Sequence, residues 1–348
     1  MSIGGRRVGW REPVLVIAEA GVNHDGDVRV ALELVDAAAA AGAEAVKFQT
    51  FEPRALASPA APLARYQREH VPAANGQLEM LERLSLPAED FATIAAHCAR
   101  RGILFLSTPF DLNGADLLQR LGVPAFKVSS GELTNLPLLR GLAARGLPLI
   151  VSTGMATLAE VGEAVDIVRA ADAPLVLLHC VSSYPTPDEE ANVRAIDTLR
   201  SAFAVPVGYS DHCLGVTASL AAVARDACVL ERHLTLDRRR PGPDHAMSLQ
   251  PEELRDLIRQ VRRMESVLGD GRKAPREAEW DTRAVARRSI VATRALAAGE
   301  TLTEEDLTLK RPGGGLTPNR LPSLLGARVV RALAEDEQLT EAHIQAPA

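Results

Sequence analysis

Two histidines carry the first chemical signal in this sequence. His212 closes the run Val-Pro-Val-Gly-Tyr-Ser-Asp-His and His233 closes Cys-Val-Leu-Glu-Arg-His, with a helix-like interval between the two. Parallel strands joined by such a helix lie about 4.8 Å apart, and both imidazoles then stand at the same end. With Glu19 or Asp244 as an added carboxylate, they make an oxygen-and-nitrogen set suited to a divalent metal such as Mn²⁺ or Mg²⁺. A histidine at a strand end is equally served by an ordinary hydrogen bond, so the pair alone does not decide the matter. The elements around it must.

Continuous apolar runs recur at residues 14–20, 45–50, 103–107, 125–130, 147–153, 175–181, 205–210 and 227–235. Runs without polar alternation are those of parallel strands covered on both faces. The intervals carry helix signals. Asp27 caps a segment with Val30, Leu34 and Val35 on one face and Gly42 at its end, and Thr157 with Glu160 forms a capping box. Pro251 starts a helix that stops at Gly269. Eight strand-helix units in about 250 residues predict an α/β fold, a TIM (β/α)8 barrel. The alternative is a doubly wound open sheet, but no Gly-x-Gly-x-x-Gly follows the first strand.

A TIM barrel does its chemistry at the C-terminal ends of its strands. In order, those ends hold Glu19; Lys47 and Gln49; Thr108; Lys127, Ser130 and Glu132; Ser152 and Thr153; Ser182 and Tyr184; Ser210 and His212; Glu231 and His233. All eight are polar. Lys47 and Lys127 sit inside apolar runs, which argues for buried, functional lysines. With the hydroxyls of Thr108, Ser130, Ser152 and Ser210 they suit a phosphate and a carboxylate. A metal beside such an anion seat points to an electrophile polarised by the ion and attacked by a phosphorylated partner.

Two stretches leave this rhythm. The connection 52–87 is long, rich in Ala and Pro, and holds the polar cluster Tyr66, Gln67, Arg68, Glu69 and His70; long connections of this kind are commonly functional. After Gly269 a charged linker, 270–285, leads to short strands and turns at 286–348 that include Arg311-Pro-Gly-Gly-Gly. The chain thus reads as a barrel at 1–269, a linker at 270–285 and a small β-rich module at 286–348, which leans on the barrel or on another subunit.

The net charge of −6 argues against nucleic acid or an anionic membrane as partner. No stretch reaches the roughly 18 apolar residues of a membrane span, so a soluble, cytoplasmic protein is expected. Cys98, Cys180, Cys213 and Cys228 show neither C-x-x-C spacing nor disulfide-scaffold density, and are read as reduced. Arg238, Arg239 and Arg240 read as a solvated run.

Taken together, Gly-Val-Asn-His-Asp-Gly at 21–26, Val-Lys-Phe-Gln-Thr at 46–50, Ser-Thr-Pro-Phe at 107–110, Lys-Val-Ser-Ser-Gly-Glu at 127–132 and Ser-Thr-Gly-Met at 152–155 form an ordered set. His-Cys-Val-Ser-Ser-Tyr-Pro-Thr-Pro at 179–187, Tyr-Ser-Asp-His, Leu-Glu-Arg-His and Arg-Pro-Gly-Pro-Asp-His at 240–245 continue it. The set resembles the sialic acid synthases and their nonulosonic acid synthase relatives, and the C-terminal module looks like their antifreeze-like (SAF) domain. The likeness runs over nearly the whole chain.

The resemblance implies condensation of phosphoenolpyruvate with an open-chain N-acetylhexosamine, N-acetylmannosamine or a related sugar, giving a nonulosonic acid and phosphate. Carried over by residue, Lys47, Thr108, Lys127, Ser130, Ser152 and Ser210 hold phosphoenolpyruvate, Ser182 is a further substrate-binding residue, and His212 and His233 hold Mn²⁺ or Mg²⁺. Glu19, Gln49, Tyr184 and Asp244 meet the acceptor, and Glu132 lies beside the reacting carbons. Glu19 and Glu132 are both candidates for guiding the attacking water. Arg311 would reach a partner's barrel in a domain-swapped homodimer. The chain departs from some relatives in carrying Ser182 for asparagine and Cys213 for threonine. A 6-deoxy diacetamido acceptor leading to legionaminic or pseudaminic acid is an alternative, and a metal-dependent aldolase or isomerase that releases no phosphate is a further one.

Overall fold

The computed structural model describes residues 1–71 and 74–345, which fall into two compact units, Met1–Gly269 and Asp270–Ala348. The first unit is built on strands β1 (Leu15–Gly21), β2 (Ala45–Thr50), β3 (Leu104–Pro109), β4 (Phe126–Val128), β5 (Leu149–Ser152), β6 (Leu175–Cys180), β7 (Val207–Asp211) and β8 (Val229–His233). They form one parallel sheet in the hydrogen-bonded order β3-β2-β1-β8-β7-β6-β5-β4, and the end strands β3 and β4 lie against each other. This is the expected TIM barrel.

Alternation along each strand makes the inside of the barrel a gradient. Successive side chains point to opposite faces, so Leu15, Ile17 and Glu19 share the inner face of β1, as do Ala45 and Lys47 on β2 and Ile150 and Ser152 on β5. The lower members pack into one apolar cluster with Leu106, Ala125, Val176 and Val229. Ile3 and Val8, from a short N-terminal hairpin, join that cluster and plug the far end. The upper members are the polar ones. Outward residues pack instead under the surrounding helices, in a separate cluster that includes Val16, Val46, Leu34, Ile94 and Leu257.

The helix signals hold locally. Asp27 accepts from the Arg29 N–H, Gly42 ends the first helix with φ 90°, Thr157 and Glu160 close a capping box, and Pro251 opens Pro251–Leu268 with Gly269 at its end. The strand 125–130 is shorter than its apolar run, because Ser130–Glu132 turns into a 3₁₀ helix. The connection 52–87 contains the helices Pro53–Leu56, Arg65–His70 and Gln77–Leu84. It has its own small core, in which Ala57, Leu63, Ala74, Met80, Leu81 and Leu84 pack with Val22 of the loop after β1.

In the second unit β9 (Ser289–Ala292) pairs antiparallel with β10 (Leu307–Lys310) over a core that includes Ile290, Leu302, Leu324 and Leu339. Among the described residues, no helix is long and apolar enough to cross a membrane.

Candidate active site

Strand register brings the polar ends to one level. Glu19 is paired with His233 on one side and Lys47 on the other, Gln49 with Thr108, and Ser210 with Glu231. At the centre, Lys47 Nζ lies 2.7 Å from Glu19 Oε2, 3.1 Å from Thr108 Oγ1 and 3.8 Å from Glu231 Oε2. Lys127 Nζ lies 2.8 Å from Ser152 Oγ and 3.5 Å from Glu231 Oε1, and Ser210 donates to the same Glu231 oxygen at 3.0 Å. Two cations and two carboxylates are thus interleaved in a buried cluster.

Burial and pairing pull these groups in different directions. Burial outweighs the attraction of Lys47 at Glu19, where Glu231 adds repulsion, and the Glu19 carboxyl is pushed up from 4.5 to about 7. At Glu231 burial would raise the carboxyl, but Lys127 and Lys47 hold it below its ordinary value. Burial would likewise lower Lys47, and Glu19 and Glu231 reverse that, whereas at Lys127 burial prevails and the ammonium is lowered. The arrangement holds one firmly ionised carboxylate and one poised near neutrality, the division of labour seen where acid and base roles are separated by environment.

Beside Lys127 the hydroxyls converge. Ser130 Oγ accepts from the Gly154 N–H at 3.0 Å, and Ser182 Oγ is buried without a hydrogen-bond partner. A β-carbon on Gly154 would strike Ser182 Oγ and stand 2.8 Å from Ser130 Oγ. Glycine is therefore required where these hydroxyls and the Lys127–Ser152 pair close in, and the chemistry of the lining is that of an anion seat.

The histidines face each other with ring centroids 5.4 Å apart. His212 Nδ1 meets the Val181 carbonyl at 2.8 Å, with Cys180 Sγ 3.8 Å away, so Nε2 is the nitrogen left for other work. His233 is buried, its Nδ1 has no hydrogen-bond partner, and the nearest carboxylate, Asp244 Oδ2, is 3.7 Å away. Burial, then the proximity of His212, holds His233 well below its ordinary pKa and therefore neutral, the form that binds metals. Among the described residues, no three His, Cys, Asp or Glu side chains surround a common point as a ready metal site. The two imidazoles fit two positions of an open coordination sphere, and the orphaned His233 Nδ1 is what such an ion would satisfy.

Behind the histidines, Asp211 and Arg232 face the helix layer. They form a buried ion pair at 2.5 Å, and Asp211 also accepts from Ser219 Oγ and from the Cys213 N–H. These two residues lie opposite each other in register, so the pair clamps the strands that carry His212 and His233.

Glu19, Gln49 and Asp244 converge on Gly21, whose φ is +54° at a register shift in β1. A β-carbon there would lie 3.2 Å from Glu19 Oε1, 3.3 Å from Gln49 Nε2 and 3.5 Å from Asp244 Oδ2. Burial raises the Asp244 carboxyl above its ordinary value. Tyr184 packs against His212 with ring centroids 4.3 Å apart and planes tilted by 40°, and Tyr66, from the long connection, packs against Tyr184 at 4.9 Å and 30°.

Not every expected residue joins this group. Glu132 is half-buried on the turn after β4 and accepts from Asn135 Nδ2 at 2.7 Å. Arg311 is exposed in the second unit, just after β10. Cys213 is buried, with Tyr209 Oη 3.9 Å away, and Cys180 touches His212 as well as lying in an apolar run. Each arginine of the run has a carboxylate partner: Arg239 with Asp237, Arg238 with Glu253 and Arg240 with Asp25. Glu231, Gly154 and Tyr66 had no role assigned from sequence. The i, i+2 spacing of Glu231 and His233 was the available signal for the first.

The sequence matches the NeuB family over residues 34–273 and the SAF domain over 287–345. The chain belongs to the NeuB family. It is a phosphoenolpyruvate-using synthase of the sialic acid type. This NeuB-family chain is 44% identical to an N,N'-diacetyllegionaminic acid synthase of Legionella pneumophila, over 95% of its own length and 94% of the relative's. It is 42% identical to one of Campylobacter jejuni, over 94% and 99%. Among solved structures, the N-acetylneuraminic acid (sialic acid) synthetase of Leptospira borgpetersenii superposes with a TM-score of 0.72 at 35% identity, over 81% of this chain and 94% of that one.

Proposed function

We propose that this enzyme condenses phosphoenolpyruvate with the open-chain form of a 2,4-diacetamido-6-deoxyhexose, giving a nine-carbon 2-keto acid of the legionaminic type and phosphate. The observation that carries the reaction is the buried Lys47–Glu19–Glu231–Lys127 cluster, edged by Thr108, Ser130, Ser152, Ser182 and Ser210. The acceptor is inferred from the two legionaminic acid synthases at 44% and 42% identity. N-acetylmannosamine is the competing acceptor.

The two lysines and the hydroxyl cradle hold the phosphate and carboxylate of phosphoenolpyruvate. Its methylene carbon forms the new C–C bond to the acceptor's aldehyde carbon, and the aldehyde oxygen takes a proton. Water adds at the phosphate-bearing carbon and gives up one proton, and its second proton leaves with phosphate as the C–O bond breaks to give the ketone. Glu19, poised near neutrality, would take the proton released as water attacks, and Glu132 is the other candidate. Gln49, Tyr184 and Asp244 orient the acceptor. A divalent ion, Mn²⁺ or Mg²⁺, held by His212 and His233 would polarise the acceptor's carbonyl. In a domain-swapped dimer Arg311 of one subunit would serve the other's barrel, with 270–285 as linker between the barrel of 1–269 and the SAF module of 286–348.

The test is incubation with phosphoenolpyruvate, Mn²⁺ and a panel of acetamido hexoses, scoring phosphate and product mass. The diacetamido acceptor is expected to give the highest kcat/KM. Preference for N-acetylmannosamine would overturn the acceptor assignment alone. Product without phosphate would support an aldolase, and no phosphate with any acceptor would end the synthase reading.

A further inference from the structure

We infer that Tyr66, delivered by the long connection after β2, is an acceptor-binding residue that forms the outer wall of the sugar site and sets its preference for an acceptor with methyl-bearing substituents. This rests on the acceptor half of the proposed reaction. The short helix Arg65–His70 contains no fully buried residue, and its neighbours Arg65 and Glu69 pair with each other at its surface. Tyr66 alone among them turns to an aromatic column. Its ring lies 4.9 Å from that of Tyr184 at 30°, Tyr184 lies 4.3 Å from His212, and His212 lies 5.4 Å from His233. Tyr66, which precedes the start of β3 by 38 positions, is therefore separated from the proposed metal seat by the single ring of Tyr184.

The seating is built. Arg68 donates to the Leu63 carbonyl at 2.6 Å, Gln67 Oε1 accepts from the Ala64 N–H at 2.8 Å, and Gln67 Nε2 reaches Tyr66 Oη at 3.4 Å. Leu63 and Val71, on either side, pack into the connection's own core with Val22. Desolvation and the charge of Asp244 raise the Tyr66 phenol, which agrees with a ring turned inward toward the acceptor side.

Aromatic faces of this kind favour C–H groups over hydroxyls. A 6-deoxy methyl or a second acetamido methyl gains contact there, whereas a hydroxymethyl loses water without gaining a partner.

The test is steady-state kinetics of the full-length enzyme carrying Tyr66→Ala or Tyr66→Phe, with Glu69→Ala as control. Tyr66→Ala is expected to raise the acceptor KM about tenfold, leave the phosphoenolpyruvate KM within about twofold, and narrow the preference for the diacetamido acceptor over N-acetylmannosamine. Tyr66→Phe is expected to stay close to wild type. An unchanged acceptor KM in Tyr66→Ala, or equal rises in both KM values, overturns the inference. Hydrogen exchange of residues 64–71 in the wild type gives a second reading that needs no variant. Protection by the diacetamido sugar but not by phosphoenolpyruvate supports the role, and no protection by the sugar refutes it. Failure of the wild type to release phosphate with any acceptor would remove the underlying reaction, which is a separate outcome.

Discussion

Lys47 Nζ and Glu19 Oε2 stand 2.7 Å apart on paired positions of neighbouring strands, both side chains almost wholly removed from solvent. Losing one member of such a pair strands the other, at about 3–5 kcal/mol. Lys47→Met is therefore expected to lower stability in denaturant titrations and to abolish phosphate release. The double variant Lys47→Met/Glu19→Gln should regain much of the stability and none of the turnover. Recovery of activity in the double variant would show that the lysine serves only its partner.

Glu19 also sets a pH dependence. Its folded pKa of about 7 lies above the ordinary 4.5, so the folded chain binds more protons between those values. The contribution of this carboxyl to stability is present at low pH and declines as pH rises from about 4.5 to about 7, by about 3 kcal/mol in all. Unfolding midpoints followed across that window should fall less steeply with rising pH in Glu19→Gln than in the wild type. Equal slopes would place the titration elsewhere. If Glu19 takes the proton from water, kcat/KM also climbs with pH to a limb near 7.

Chelation is expected to stop turnover and Mn²⁺ to restore it. His233→Ala should weaken Mn²⁺ binding, followed by the loss of the free-ion electron paramagnetic resonance signal, by at least about 10²-fold. Binding at wild-type strength would exclude His233 as a ligand.

In the proposed reaction Gly154 borders the phosphoenolpyruvate half of the mouth and Gly21 the acceptor half. Gly154→Ala drives a methyl into Ser130 and Ser182, and is expected to raise the phosphoenolpyruvate KM about tenfold or more while sparing the acceptor KM. Gly21→Ala presses on Glu19, Gln49 and Asp244 from a left-handed backbone, and should penalise acceptor use and kcat instead. Identical kinetic patterns in the two variants would contradict this division of the mouth.

Arg232→Ala leaves the Asp211 carboxylate buried and unpaired behind the histidines, with an expected loss of about 3–5 kcal/mol in unfolding free energy. Arg232→Met with Asp211→Leu should recover most of it. A single variant as stable as wild type would mean that solvent reaches Asp211.

Much of this site was legible in the sequence because a parallel barrel translates order into place. Continuous apolar runs gave the strands, and the polar residues toward the C-terminal end of each run gave the mouth: Glu19, Lys47, Thr108, Lys127, Ser152, Ser210 and His233 all lie there. Glu231 was harder to read. It stands between lysines from β2 and β4, a relation that no local pattern encodes. Gly154 looks like an ordinary turn glycine until the hydroxyls of two other loops crowd it. The connection after β2 showed no period because its helices are too short to display one, and Tyr66 gains meaning only from Tyr184, more than a hundred residues later.

The small core beneath that connection gives it a degree of independence. Leu63, Ala74, Met80, Leu81 and Leu84 pack chiefly with one another and touch the barrel's loops through Val22. The segment is thus a cassette: exchanged whole for its counterpart in another synthase, it would carry its own foundation with it. The anion seat below would keep its geometry while the ceiling over the sugar changed.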